Sequence, residues 1–388
     1  MTVKTSTPTL TVGVSAALIA GVTLGNAGTN VMPIFVDDFA ARFHMSESAA
    51  GLVGTAQLIA TAVVTIMLAK RAAGVGRTTM ARWGAAVAAV GLVGAAVATD
   101  AGAIIAANIV LGAGLGAVYA AATSALAVFD DPDRASAVAV SGTVVVTALL
   151  IVGVSAADRA WSPGTGFAVL ALCCVPTWLL VGRLPKSRNA IGGTHPVAPK
   201  RPSVVLLAGA VLLWMVTQGA WSYAAVLGRE HTGMSPAAVS AVLAASSVVA
   251  LAGAVAGPVV ARRLGRLAAL TSFVVAESLG MALLVVTHDR TLFIAAAIAW
   301  QACQLAVLVQ ILAAAAVVDP SGRWTASLGG AGALGNGVGP LAVGHLLSSA
   351  GAGVLAVVLA AGTVVGALPL LRMTVTARKP VDAAAVAA

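Results

Sequence analysis

Apolar segments of about 20 residues follow one another through almost the whole of this 388-residue chain, separated only by short polar turns. A hydrocarbon core of about 30 Å demands a helix of that length. Twelve such segments can be placed, at 10–36, 49–69, 78–98, 102–129, 135–157, 165–184, 203–227, 237–260, 267–287, 291–318, 324–348 and 351–371. Membrane β-strands would instead alternate over about ten residues, a pattern absent here. A soluble globule is excluded as well, because the chain is 60% hydrophobic and only 9% charged where soluble domains are about 25% charged. The first segment follows Lys4 in the manner of a signal peptide, but it is too long for one and eleven more succeed it, so it is read as a membrane helix. Cys173, Cys174 and Cys303 all fall inside segments without metal-like spacing and read as small core residues. No metal or cofactor is expected.

The longest interruption is basic and helix-breaking, from Gly182-Arg183-Leu184-Pro185-Lys186 to Lys200-Arg201-Pro202, and it leaves six segments on either side. The two sets match. A shift of 189 residues superposes Met45-Ser46 on Met234-Ser235, Gly76-Arg77 on Gly265-Arg266, Asp130 on Asp319 and Arg134 on Arg323, without a gap. This predicts an all-α polytopic membrane protein built of two parallel six-helix halves, 1–184 and 203–388, joined by a basic linker over 185–202.

The net charge of +9 follows the same topology. With the amino terminus inside, only Arg42, Arg159, Arg229 and Arg290 of the 22 Lys and Arg lie outside, which leaves 22 − 4 = 18 within. That is the positive-inside bias, and it predicts cytoplasmic termini and a cytoplasmic linker in the plasma or inner membrane. Nothing in it requires nucleic acid. Lipids are the expected surroundings.

Polar residues within the segments recur in both halves. Asn26 and Asn30 lie one turn apart on helix 1, Gln57 is on helix 2, and Asn108, Gly112, Leu115 and Tyr119 form one stripe of helix 4. Helix 7 carries Gln218 and Trp221, helix 10 carries Trp300, Gln301 and Gln304, and helix 11 carries Asn336. Gln57 maps on Ser246, Gly112 on Gln301 and Leu115 on Gln304. Amides at this depth face protein or water, so each residue either lines a cavity or holds helices together. Glu277, in segment 9, is the only charge deep within a segment. An intramembrane carboxyl is a candidate proton carrier or a neutral packing group. Asp37, Asp38 and His345 are the other proton-site candidates, nearer the outer ends.

Twelve spans, a six-plus-six duplication and a basic central loop resemble the major facilitator superfamily of secondary transporters. The family's loop signature, Gly-x-x-x-Asp-Arg-x-Gly-Arg, is echoed by Arg263, Gly265 and Arg266 and, in the first half, by Gly76 and Arg77. Arg262 and Ala73 stand at the Asp positions, and Asn108 stands where proton-coupled exporters of the family often have Arg. The resemblance implies a cavity lined by helices 1, 4, 7 and 10. It also gives the two basic loops a conformational role.

The reading that results is a monomeric, non-enzymatic secondary transporter. Its substrate would be a small neutral, zwitterionic or amphipathic molecule, bound by Asn26, Asn30, Gln57, Asn108, Tyr119, Gln218, Trp221, Trp300, Gln301, Gln304 and Asn336. Proton-coupled export is the expected direction. Uptake of a neutral metabolite and a non-transporting sensor on the same scaffold remain the alternatives.

Overall fold

The computed structural model of the protein describes residues 8–162, 164–186 and 201–376. All regular elements among them are helical: α1 (Val12–Gly25), α2 (Ala27–Phe43), α3 (Glu47–Ala72), α4 (Arg77–Val97), α5 (Ala101–Ala125), α6 (Pro132–Ala160), α7 (Thr165–Leu180), α8 (Val204–Thr232), α9 (Pro236–Leu264), α10 (Arg266–Val286), α11 (Arg290–Val318) and α12 (Arg323–Thr376). Ten of the helices are long and apolar enough to cross a membrane. Most of the expected linker and the carboxy-terminal tail, 187–200 and 377–388, lie outside the described residues.

Two joints stand out among the expected spans. Segment 1 is broken at Asn26, whose φ of −94° and ψ of 0° separate α1 from α2, and the second piece runs on to Phe43, past Asp37 and Asp38. Segments 11 and 12 are two helices that meet within α12 at one non-helical residue, Gly351, at φ 78° and ψ 174°. That backbone conformation is open almost exclusively to glycine. Element α12 thus has two arms, 323–350 and 352–376.

The duplication reaches the helix starts. Ser46 accepts from the Ala49 amide at 3.2 Å and its counterpart Ser235 from Ala238 at 3.3 Å. Asp100 and Asp289, also 189 residues apart, cap α5 and α11 through Ala103 and Leu292 at 2.9 and 2.8 Å. Each cap satisfies an amide that the helix itself leaves bare. The Asp130–Asp319 landmark is partly of this kind, since Asp319 accepts from the Ser321 and Trp324 amides, both at 3.1 Å.

Between the halves, the packing is one-sided. On the side of the linker a single apolar cluster mixes Leu126, Phe129, Ala135 and Ala139 of the first half with Ala254, Val309, Leu312 and Ala326 of the second. Toward the opposite side the apolar clusters belong to one half each, around Phe35 and Phe167 in the first and around Phe293 and Trp300 in the second. The halves are therefore closed upon one another at the linker side.

Candidate functional site

The seam between the halves is built by small residues. A methyl group on Gly329, in the first arm of α12, would lie 2.7 Å from Cε1 of Tyr119. Gly330 sits as closely on Ile66, and Gly337 faces Leu58 at 2.9 Å. The Gly337 carbonyl accepts from the Thr55 hydroxyl at 3.3 Å. Only glycine allows α12 to lie this near α3 and α5.

The candidate residues divide by burial. Asn26, Asn30, Gln218, Trp221, Gln304 and Asn336 are half-buried. Asn26 sits at the break in helix 1 and hydrogen-bonds the Tyr119 side chain. Asn30 donates from Nδ2 to Thr147 Oγ1 at 3.2 Å, tying α2 to α6. The Asn336 carbonyl oxygen has no protein partner.

Gln57, Asn108 and Trp300 are instead fully buried, and Tyr119 and Gln301 nearly so, at 7 and 8% exposure. The helix 4 stripe faces α3 rather than open space: a methyl on Gly112 would collide with the Gln57 main chain, and Gly116 sits as closely on Thr61. Asn108 donates to the Ile104 carbonyl of its own helix at 2.9 Å. The Gln57 amide lies over Gly28 at the edge of a small, mostly leucine-lined pocket inside the first half, and neither of its polar atoms has a partner. Trp300 crosses Trp221 edge-on at 5.9 Å and backs onto Gly280.

Glu277 is 1% exposed within the second half, behind α8 and α11. The Thr217 hydroxyl lies 3.2 Å from its Oε1 and 2.8 Å from the Leu213 carbonyl. Oε2 has no partner. His345 is exposed, and the side chains of Asp37 and Asp38 lie outside what is described. Among the described residues no group of three or more His, Cys, Asp and Glu could hold a metal.

The two basic turns do different things. Arg77 is buried, with Nε donating to the Ala72 carbonyl at 2.8 Å and Nη1 to that of Pro185, the first linker residue, at 3.0 Å, without reaching the second half. Its counterpart Arg266 crosses to the other half and pairs with Asp133, Nη1 to Oδ1 at 3.0 Å. Arg263 is exposed, Gly76 has nothing packed on it, and Gly265 turns at φ 84°. The sequence reading missed Asp133, Thr217 and Gln310, a fully buried amide without partners on α11. Asp133 carried a signal, being a carboxylate beside Arg134 at a duplicated landmark; Thr217 and Gln310 carried none beyond their polarity.

The same fold occurs in solved structures of low sequence identity. The human organic anion transporter MFSD10 (TETRAN) is 15% identical, with a TM-score of 0.72 over 93% of this chain and 99% of its own. FucP, a transporter in the outward conformation, is 14% identical, with a TM-score of 0.72 over 94% and 98%. The proton:xylose symporter XylE is 13% identical, with a TM-score of 0.70 over 92% and 94%. No curated protein sequence matches. Residues 17–320, well over half of the chain, match the family model of the Major Facilitator Superfamily, and the protein belongs to that superfamily.

Proposed function

We propose that this transporter carries a small neutral, zwitterionic or amphipathic organic molecule, with protons as the coupling ion and export as the direction. One observation supports the substrate class above the others. The half-buried polar side chains among the candidate residues are amides and an indole, Asn26, Asn30, Gln218, Gln304, Asn336 and Trp221. Amides exposed at this depth need water or substrate rather than lipid. Arg42 and Arg77 lie toward helix ends and are engaged there, Arg42 by the Ala95, Ala96 and Ala98 carbonyls and Arg77 by Ala72 and Pro185. Among the described residues a carboxylate or phosphate would find no fixed cation at mid-depth.

Glu277 supports the proton. A hydroxyl has one proton to give, and Thr217 has the nearer acceptor in Leu213. Its contact with Oε1 is then satisfied when the carboxyl itself carries a proton and donates. No cation faces the carboxyl among the described residues.

Export suits a loosely polar lining that selects weakly. Uptake of a neutral metabolite uses the same groups in the other direction, and two proteins of the same fold, FucP and XylE, are proton symporters of fucose and of xylose. With the positive-inside orientation the linker side, where the seam is closed, is cytoplasmic. Flux in proteoliposomes under an imposed proton gradient tests the proposal, with neutral, cationic and anionic compounds compared in both gradient directions. Transport confined to anions, or indifferent to the gradient, overturns it.

A further inference from the structure

Arg82 is an arginine without an acceptor at membrane depth. It lies five residues into α4, about 8 Å along the helix from its linker-side end. Its guanidinium stacks on the Trp178 ring of α7 at 4.7 Å and presses on Gly182. Among the described residues no carbonyl or carboxylate receives its N–H groups, and Nε has no partner. Arg77, one turn away, has two carbonyl acceptors. Among the described residues, then, Arg82 is a half-buried cation whose hydrogen bonds are incomplete.

A groove starts at the same place. It runs between α4 and α7 and is lined by Ala85, Ala86, Ala89, Cys174, Val175 and Trp178. Val175 and Trp178 are exposed and Ala86 and Ala89 half-exposed, so the groove opens outward to the membrane and not toward the seam. From Arg82 to Ala89 it climbs about 10 Å toward mid-membrane. The exposed Trp83 and Trp178 sit at its foot, at the depth where indoles mark the headgroup region. Arg183, beside Gly13 of α1, and Lys186 follow on the linker side, both exposed.

We infer that α4 and α7 form a binding site for one anionic phospholipid of the linker-side leaflet, its phosphate on Arg82 and one acyl chain in the alanine-lined groove. Stacking on the indole fixes the plane of the guanidinium, and with Nε enclosed a phosphate would be met by N–H groups of the terminal nitrogens. The groove supplies what a zwitterionic or free phosphate would not need together: a channel for hydrocarbon and a net positive linker side for net negative charge. The inference rests on the chain spanning a membrane and not on the transport proposal.

The test uses the full chain in phosphatidylcholine vesicles doped with acyl-brominated phosphatidylglycerol or, at equal mole fraction, acyl-brominated phosphatidylcholine. Bromine quenches nearby indoles, and subtracting the signal of Trp178→Phe isolates Trp178. Quenching of Trp178 is expected to be several-fold greater with the brominated phosphatidylglycerol. Arg82→Gln should bring the two lipids to equality. Ala86→Leu, a lipid-facing change that fills the groove, should weaken quenching by both. Equal quenching by the two lipids in the parent protein overturns the site, and so does an anionic preference that survives Arg82→Gln.

Discussion

Arg266 of the second half grips Asp133 of the first, and the same guanidinium reaches the Gln310 carbonyl at 3.4 Å. The two side chains are 20 and 18% exposed, so the pair is shielded without being buried. It lies on the side where the halves are closed, beside the shared apolar cluster. Its rupture is therefore part of opening that side.

Arg266→Gln should favour the open linker side by about 1 kcal/mol, roughly fivefold in population, with little change in protein level. A cysteine at Ala326, buried in the seam, reports it in a background lacking Cys173, Cys174 and Cys303. Its reaction with a thiol reagent should accelerate about fivefold in Arg266→Gln and return toward the parent rate in Arg266→Asp combined with Asp133→Arg. An unchanged rate would mean that the apolar cluster alone closes the seam.

The corresponding change in the first half should behave otherwise. Arg77→Gln strands the Ala72 and Pro185 carbonyls, neither of them in the second half, at a cost of about 2 kcal/mol. Thermal unfolding in detergent should begin several degrees lower and membrane levels should fall, while the Ala326 cysteine reporter stays near the parent rate. Lower stability with faster labelling would show that Arg77 also serves the seam.

These two arginines show how far the sequence could be read. The 189-residue shift identified them as equivalents, together with Ser46 and Ser235, because turns and caps depend on local residue type. What each guanidinium reaches depends on the other half, and no periodicity encodes that. The same limit applies to the helix 4 stripe. Spacing put Asn108, Gly112 and Tyr119 on one stripe, but Gly112 packs on α3 and Tyr119 on Gly25 and Gly329, since glycines draw helices together as readily as they leave space. The break at Asn26 falls in Gly25-Asn26-Ala27-Gly28, whose glycines are weak helix formers that membrane helices nonetheless often contain, so composition did not mark it.

Gly329→Ala should wedge the seam open, because the added methyl meets the Tyr119 ring at 2.7 Å. The Ala326 cysteine should label several-fold faster, and Tyr119→Leu in the same chain should restore closure by removing the ring. If the double variant remains open, the obstruction lies elsewhere than at Tyr119.

Glu277→Gln preserves shape and hydrogen bonding while removing titration. It should keep substrate exchange between equal compartments but lose accumulation driven by a pH gradient, and the pH dependence of transport should flatten. Glu277→Ala should instead lower stability by about 1–3 kcal/mol, by emptying a buried site and leaving Thr217 without its partner. Gradient-driven accumulation undiminished in Glu277→Gln would remove the carboxyl from the coupling step and leave it a packing role.

Gly351 makes the last two membrane passes a crank with a single joint. The first arm carries Asn336 and bears on Tyr119 across the seam. The second offers the Ala360 carbonyl to the Ser278 hydroxyl, one residue from Glu277. A connecting loop would let these arms slide independently, whereas one residue passes rotation of the first directly into the second. Motion at the seam and the surroundings of the buried carboxyl are thus mechanically geared through one pair of backbone torsions.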